Sequence, residues 1–146
     1  MIGAQVRRVE DPRVLLGKTQ YVDDLDLPDA VALAFVRSPY AHARITSIHA
    51  SAAHEHPGVL LVLTGADVAD AIKPLRVEYE ASKAPTHKPC DWPVLAQQKV
   101  RFVGEAVAVV VATDRYTAED AANLVDVEYE ALDAIWDVEQ ALAPDS

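Results

Sequence analysis

Ser38, His42 and Asp24 are the residue types of a nucleophilic relay: a hydroxyl, an imidazole to take its proton, and a carboxylate to orient the imidazole. Ser38 directly precedes Pro39, however, and no Gly-x-Ser-x-Gly turn surrounds it, so the strained bend that exposes a serine nucleophile is missing. Ser38 and His42 are therefore expected to satisfy backbone groups at a turn, with Arg37 and Arg44 in ion pairs or interface contacts. His49, His54, His56, His87 and Cys90 carry metal-ligating atoms, but their spacing has neither paired CxxC nor HExxH. A solvated face is expected there, not a metal site. Asp23, Asp24 and Asp26 lack the glycine and the distal glutamate of a calcium loop. Glu105, beside Gly104, could serve as a base only if burial or a like charge raised its pKa; a turn or interface role is expected instead. Trp92, between Pro89 and Pro93, is the best single candidate for a partner contact, because aromatic anchors dominate interface energetics. The alternative is that it pins its own loop.

These residues sit on a chain of short strands and helices. The apolar run Val31 to Val36 should end as a strand before Pro39, since proline lacks a ladder donor and biases its predecessor to extended geometry. Gly17 to Asp24 reads as a turn and a short edge-like strand, and Ala43 to Ile48 as another strand. Ser51 to His56 is helix-like and closed by Pro57-Gly58; Val59 to Leu63 is a buried strand; Thr64-Gly65-Ala66-Asp67 opens a second short helix. Lys73 to Pro93 holds Pro74, Pro85, Pro89 and Pro93 with no sustained period, which predicts an irregular excursion with at most a short strand around Arg76 to Tyr79. Lys99 to Val103 and Val107 to Ala112, separated by Gly104-Glu105, are expected to pair as a hairpin. A helix capped by Thr117 follows, with Ala118, Ala121, Ala122 and Val125 on one face. Val125, Val127 and Tyr129 alternate with Asp126, Glu128 and Glu130 in a half-buried strand, and Asp137 to Leu142 is a weak terminal helix. Strands interleaved with short helices predict an α/β (α+β) layered architecture.

Composition narrows the function classes. The 146 residues suit one domain with a real core, and half of them are hydrophobic. The net charge of −10 repels phosphate backbones, so nucleic-acid binding is not expected. The longest apolar run, Ala106 to Ala112, is too short to span a bilayer, so no membrane insertion is expected either. Arg7-Arg8 is followed by Glu10-Asp11 and not by an apolar segment, which leaves a cytoplasmic location as the expectation. The single cysteine, Cys90, can form neither an internal disulfide nor an iron–sulfur cluster by itself.

Two phrases carry more: Arg37-Ser38-Pro39-Tyr40-Ala41-His42-Ala43-Arg44 and Val100-Arg101-Phe102-Val103-Gly104-Glu105-Ala106-Val107-Ala108. With Gly17 to Leu25, Pro57-Gly58-Val59, Leu63 to Asp67, Ala118 to Ala122 and Val125 to Leu132, they make the chain resemble the opening domain of the molybdenum hydroxylase large subunit. This is the family of xanthine dehydrogenase, aldehyde oxidase and aerobic carbon monoxide dehydrogenase. The sequence departs from that pattern at Ala106, where the family more often has proline.

The resemblance implies an α/β hammerhead over residues 1–146: a mixed sheet with a projecting antiparallel ribbon and helices packed on one side. It implies a structural and docking domain of an oxidoreductase that hydroxylates an aldehyde, an N-heterocycle or a comparably small substrate with water. No catalytic, cofactor-binding or metal residue is expected in this chain. Molybdenum-molybdopterin, iron–sulfur clusters and FAD are expected on other domains or subunits. The partners implied are the rest of the large subunit and the iron–sulfur and flavin subunits, with Arg37, His42, Trp92 and Glu105 as possible interface residues. The competing reading is a free-standing binding module on the same fold, because one fold hosts many functions. A carrier domain of the lipoyl or biotinyl kind is weak, since no lysine stands at Gly104-Glu105.

Overall fold

The structure is a computed structural model that describes residues 2–3, 5–25, 27–76 and 91–143. Packing divides the chain into two compact units, Met1–Ala30 and Val31–Ser146. The first holds a single-turn helix, α1 (Asp11–Leu15), with proline in its first turn, where a missing N–H costs nothing. Where a short strand was expected before Asp24, the backbone forms a 3-10 turn at Val22–Asp24. The cause is local: the Asp24 carboxylate accepts the Tyr21 N–H at 2.9 Å, and such a side-chain bond competes with extended structure.

In the second unit β1 (Ala32–Arg37), β3 (Val59–Thr64) and β7 (Ala106–Ala112) form one antiparallel sheet in the order β1-β7-β3. A second, in the order β6-β2-β8, joins β6 (Lys99–Val100), β2 (Ala43–His49) and β8 (Asp126–Ala131). β4 (Leu75–Arg76) and β5 (Asp91–Trp92) make a two-stranded ribbon, clamped by the Arg76–Asp91 ion pair. The rest of the irregular excursion, 77–90, lies outside the described residues. Among the described residues every pairing is antiparallel, so the expected mixed sheet is replaced by antiparallel sheets with helices packed on one side.

Helices α2 (Ser51–His54) and α4 (Arg115–Ala122) pack on one face of the first sheet. Ala53 and Ala121 meet Val62, Ala108 and Val110 there. Alanine on both sides of that contact lets helix and sheet approach closely, as interiors packed to crystal-like density require. α4 begins earlier than expected. Asp114, not Thr117, is its cap: the Asp114 carboxylate accepts the Thr117 N–H at 3.0 Å and the Thr117 hydroxyl at 2.6 Å. The terminal helix, α5 (Val138–Ala141), is capped in the same way by Asp137. No helix among the described residues is long and apolar enough to cross a membrane.

The expected hairpin between Lys99 to Val103 and Val107 to Ala112 does not form, because β6 pairs with β2 whereas β7 lies between β1 and β3. The turn itself exists: Glu105 N–H reaches Phe102 C=O at 3.2 Å, and Gly104 takes φ +90°, a left-handed value that favours glycine. It passes the chain from one sheet to the other. β7 starts against a different neighbour, with Ala96 N–H donating to Ala106 C=O at 2.8 Å.

The short helix α3 (Gly65–Val68) starts at Thr64, whose N–H and hydroxyl donate to the Asp67 carboxylate at 2.8 and 2.6 Å. A Cβ on buried Gly65 would lie 2.5 Å from the Ala96 carbonyl oxygen. Gly65→Ala should thus force apart two backbones and lower stability by about 1–3 kcal/mol in urea unfolding. A second prediction concerns acid. The Thr117 hydroxyl, with its N–H, holds the Asp114 carboxyl below its ordinary value. A lowered folded pKa means that the cap stabilises fully above the ordinary carboxylate range and is lost as pH falls through the folded value. Asp114→Asn removes that titration. Its urea midpoint should change less than the parent's between about pH 5 and about pH 2.

Candidate docking surface at the 101–105 turn

The surface is built on one buried carboxylate. Glu105 accepts the Arg101 backbone N–H at 2.5 Å with one oxygen and the Arg101 guanidinium at 2.8 Å with the other. A buried carboxylate is tolerable only when it is paired and hydrogen-bonded in this way. Its backbone is held too: Glu105 C=O accepts the Ser38 N–H at 2.9 Å, and Gly104 N–H donates to Ser38 C=O at 2.8 Å. Arg37, the last residue of β1, donates to Gly104 C=O at 2.9 Å and lies 5.3 Å from the centroid of the Phe35 ring, a cation–π distance. The two family-like phrases, distant in sequence, are therefore stitched together at Ser38 and Gly104-Glu105.

Either side of this turn is hollow. An open concavity of about 320 Å³ is bounded by Arg37, Trp92, Val94, Phe102 and Glu105, with the Trp92 and Phe102 rings 6.4 Å apart. A second of about 410 Å³, on the His42 side, is bounded by His42, Val103, Ile135 and Trp136. Arg101 and Phe102 line both. Three of the four residues singled out from sequence, Arg37, Trp92 and Glu105, thus share one hollow, while His42 faces the other. His42 Nδ1 donates to Asp133 C=O at 2.7 Å, and the Lys99 ammonium reaches Nε2 at 3.4 Å. With Leu132 N–H on His42 C=O at 3.0 Å, this ring holds the chain leaving β8 against the start of β2. Phe102, Arg101 and Trp136 were not singled out; an aromatic beside the Gly104 turn and a tryptophan after β8 were the available signals.

The chemistry imagined from sequence is not assembled. The Ser38 hydroxyl accepts the Tyr40 N–H at 3.0 Å and donates to Tyr40 C=O at 3.2 Å, while the His42 ring faces Asp133 and Lys99, so no Ser–His relay exists. His49 lies 3.1 Å from the Ser47 hydroxyl, and Ser47 donates to Glu128 at 2.7 Å on an exposed strand face. His56 donates to the adjacent Pro57 C=O. Asp23 and Asp24 form the 3-10 turn. Among the described residues no three His, Cys, Asp or Glu side chains come together as a metal site; Asp26, His87 and Cys90 lie outside them. What remains is an apolar, aromatic-walled surface whose polar groups are already engaged, which suits contact with another polypeptide better than chemistry.

Known proteins give the same architecture. Residues 16–133 match the model of the "Aldehyde oxidase and xanthine dehydrogenase, a/b hammerhead domain". The carbon monoxide dehydrogenase large chain of Afipia carboxidovorans is 47% identical over 145 residues, covering 99% of this chain and 17% of its own length. The nicotine 6-hydroxylase large subunit of Paenarthrobacter nicotinovorans is 42% identical, covering 97% of this chain and 17% of its own. The crystal structure of quinoline 2-oxidoreductase from Pseudomonas putida 86 superposes with a TM-score of 0.87 at 46% identity, over 96% of this chain and 17% of that one. The chain spans 17% of the length of these relatives.

Glu105→Ala should leave the Arg101 N–H and guanidinium without their acceptor and lower stability by about 1.5–3 kcal/mol. Glu130→Ala, which breaks the exposed pair with Arg44 at 3.0 Å, should cost about 0–1 kcal/mol. Urea unfolding of both variants checks the contrast; equal losses would mean that Glu105 is not the anchor of this turn.

Proposed function

This chain belongs to the aldehyde oxidase and xanthine dehydrogenase a/b hammerhead family, and from that premise we propose that it is the hammerhead domain of the large subunit of a molybdenum-dependent hydroxylase, with a structural and docking role. The reading is carried by one observation: relatives match this chain over 97–99% of its length and over only 17% of their own. Relatives named for carbon monoxide, nicotine and quinoline keep 42–47% identity to it. A domain so alike across three dissimilar substrates is poorly suited to choosing between them. The parent enzyme in this reading hydroxylates an aldehyde, an N-heterocycle or a comparably small molecule in the cytoplasm. The partners are the remainder of the large subunit and the iron–sulfur and flavin subunits.

Among the described residues from Val31 onward, no buried polar side chain is free to hold a molybdenum-molybdopterin group. In the sheet unit the buried polar side chains are Ser38 and Glu105, and both are satisfied internally by Tyr40 and Arg101. A cofactor rich in polar atoms needs hydrogen-bonding groups to meet it, which supports a reading with the chemistry on other parts of the enzyme. The free-standing binding module on the same fold draws support from no separate observation.

The purified chain, given an aldehyde or an N-heterocycle together with a redox dye, should give no turnover. Oxidation by the metal-free chain would contradict the proposal.

A further inference from the structure

Strands exposed to water on one face alternate apolar and polar residues, and strands covered on both faces read as continuous apolar runs. This protein contains both kinds. In β2 and β8 the outward positions are polar, with Arg44 paired to Glu130 and Ser47 to Glu128. In the other sheet, β1 reads ALAFVR, β3 VLLVLT and β7 AVAVVVA, with Arg37 the one charged residue. One face of that sheet is covered by α2 and α4 through Val62, Ala108 and Val110. The register gives the opposite face as two cross-sheet rows, Leu33–Val111–Leu61 and Phe35–Val109–Leu63. Among the described residues of this unit no helix lies on it: Leu33 is 55%, Phe35 42% and Leu61 44% exposed, while Val109, between Phe35 and Leu63, is buried at 7%.

Size decides what fits there. Three strands about 4.8 Å apart and two rows of side chains give roughly 200–300 Å² of apolar surface. A soluble chain tolerates a patch of that extent. It falls well short of the roughly 800 Å² per partner that a stable association between separate molecules buries, so a second copy seated on these rows alone would not hold. A segment of the same enzyme, joined to this domain or assembled with it through other contacts, has no such minimum, because tethering supplies the effective concentration. The relatives carry that additional chain, since this one accounts for 17% of their length.

Resting on the reading given above, we propose that the rows Leu33–Val111–Leu61 and Phe35–Val109–Leu63 are the seat for an apolar segment of the large subunit outside these 146 residues. The sheet is then sandwiched between its own helices and that segment, which accounts for three strands with almost no polar residue.

The test uses the assembled holoenzyme in its native host, with the photocrosslinker p-benzoylphenylalanine placed at position 35, and separately at positions 44 and 92. The benzoyl side chain keeps the aromatic core of Phe35, and circular dichroism of each purified variant verifies the fold. Mass spectrometry should find position 35 joined to a large-subunit peptide outside these residues, with at least a tenfold higher yield than from position 44. Position 35 captured by a second copy of this chain overturns the inference, as does no capture from 35 while position 92 captures the large subunit in a molybdenum-containing preparation; in that last case the proposed function stands. A preparation in which this chain co-purifies with no molybdenum overturns both.

Discussion

Everything in the sheet unit depends on β7, paired at both edges and covered by helices on one face. Ala106–Ala112 is alanine and valine throughout, so it has nothing to offer water and must be paired at both edges and covered on its faces. β1 and β3 occupy its edges, and the alanines of α2 and α4 close one face. On the other face its first turn is shielded by Ala43, Ala96 and Val100, which meet Val107. A strand of this composition is stable only at the centre of something, which is why the short, otherwise marginal elements around it are ordered.

The turn before β7 transmits that constraint to the surface. Glu105 is the buried charge nearest the strand, and its carboxylate is pinned by the N–H and guanidinium of a residue on the same turn. A turn tied to itself and to Ser38 can hand the chain from one sheet to the other without pairing β6 to β7. The same geometry raises Phe102 between two hollows and places Trp92 beside it. Interior electrostatics and the aromatic outer surface are therefore one structural feature.

Much of this was legible in the chain. Val59 to Leu63, Ala43 to Ile48 and the alternation after Val125 fell within a residue or two of the observed strands, because burial pattern and turn residues agree there. No hairpin follows from Gly104-Glu105, because a turn signal states that the chain bends, not which strands lie beside it afterwards. Thr117 suits a cap by residue type, but Asp114, a stronger acceptor three residues earlier, holds that place. The strand expected before Asp24 gave way to a side-chain bond that no periodicity reveals. Arg37, Trp92 and Glu105 were each singled out for separate reasons. That they share a hollow is a long-range fact, created by Ser38 bonding to residues 104 and 105.

The central claim is that this sequence is one working part of a molybdenum hydroxylase and not a self-sufficient protein. The most direct measurement is the molybdenum, iron and flavin content of the native polypeptide carrying this sequence, isolated without denaturant and followed by antibody through size-exclusion chromatography. The account predicts elution far above the 15.8 kDa of this chain, with stoichiometric molybdenum in the same fractions. Elution alone at about that mass, colourless and free of metal, would contradict it.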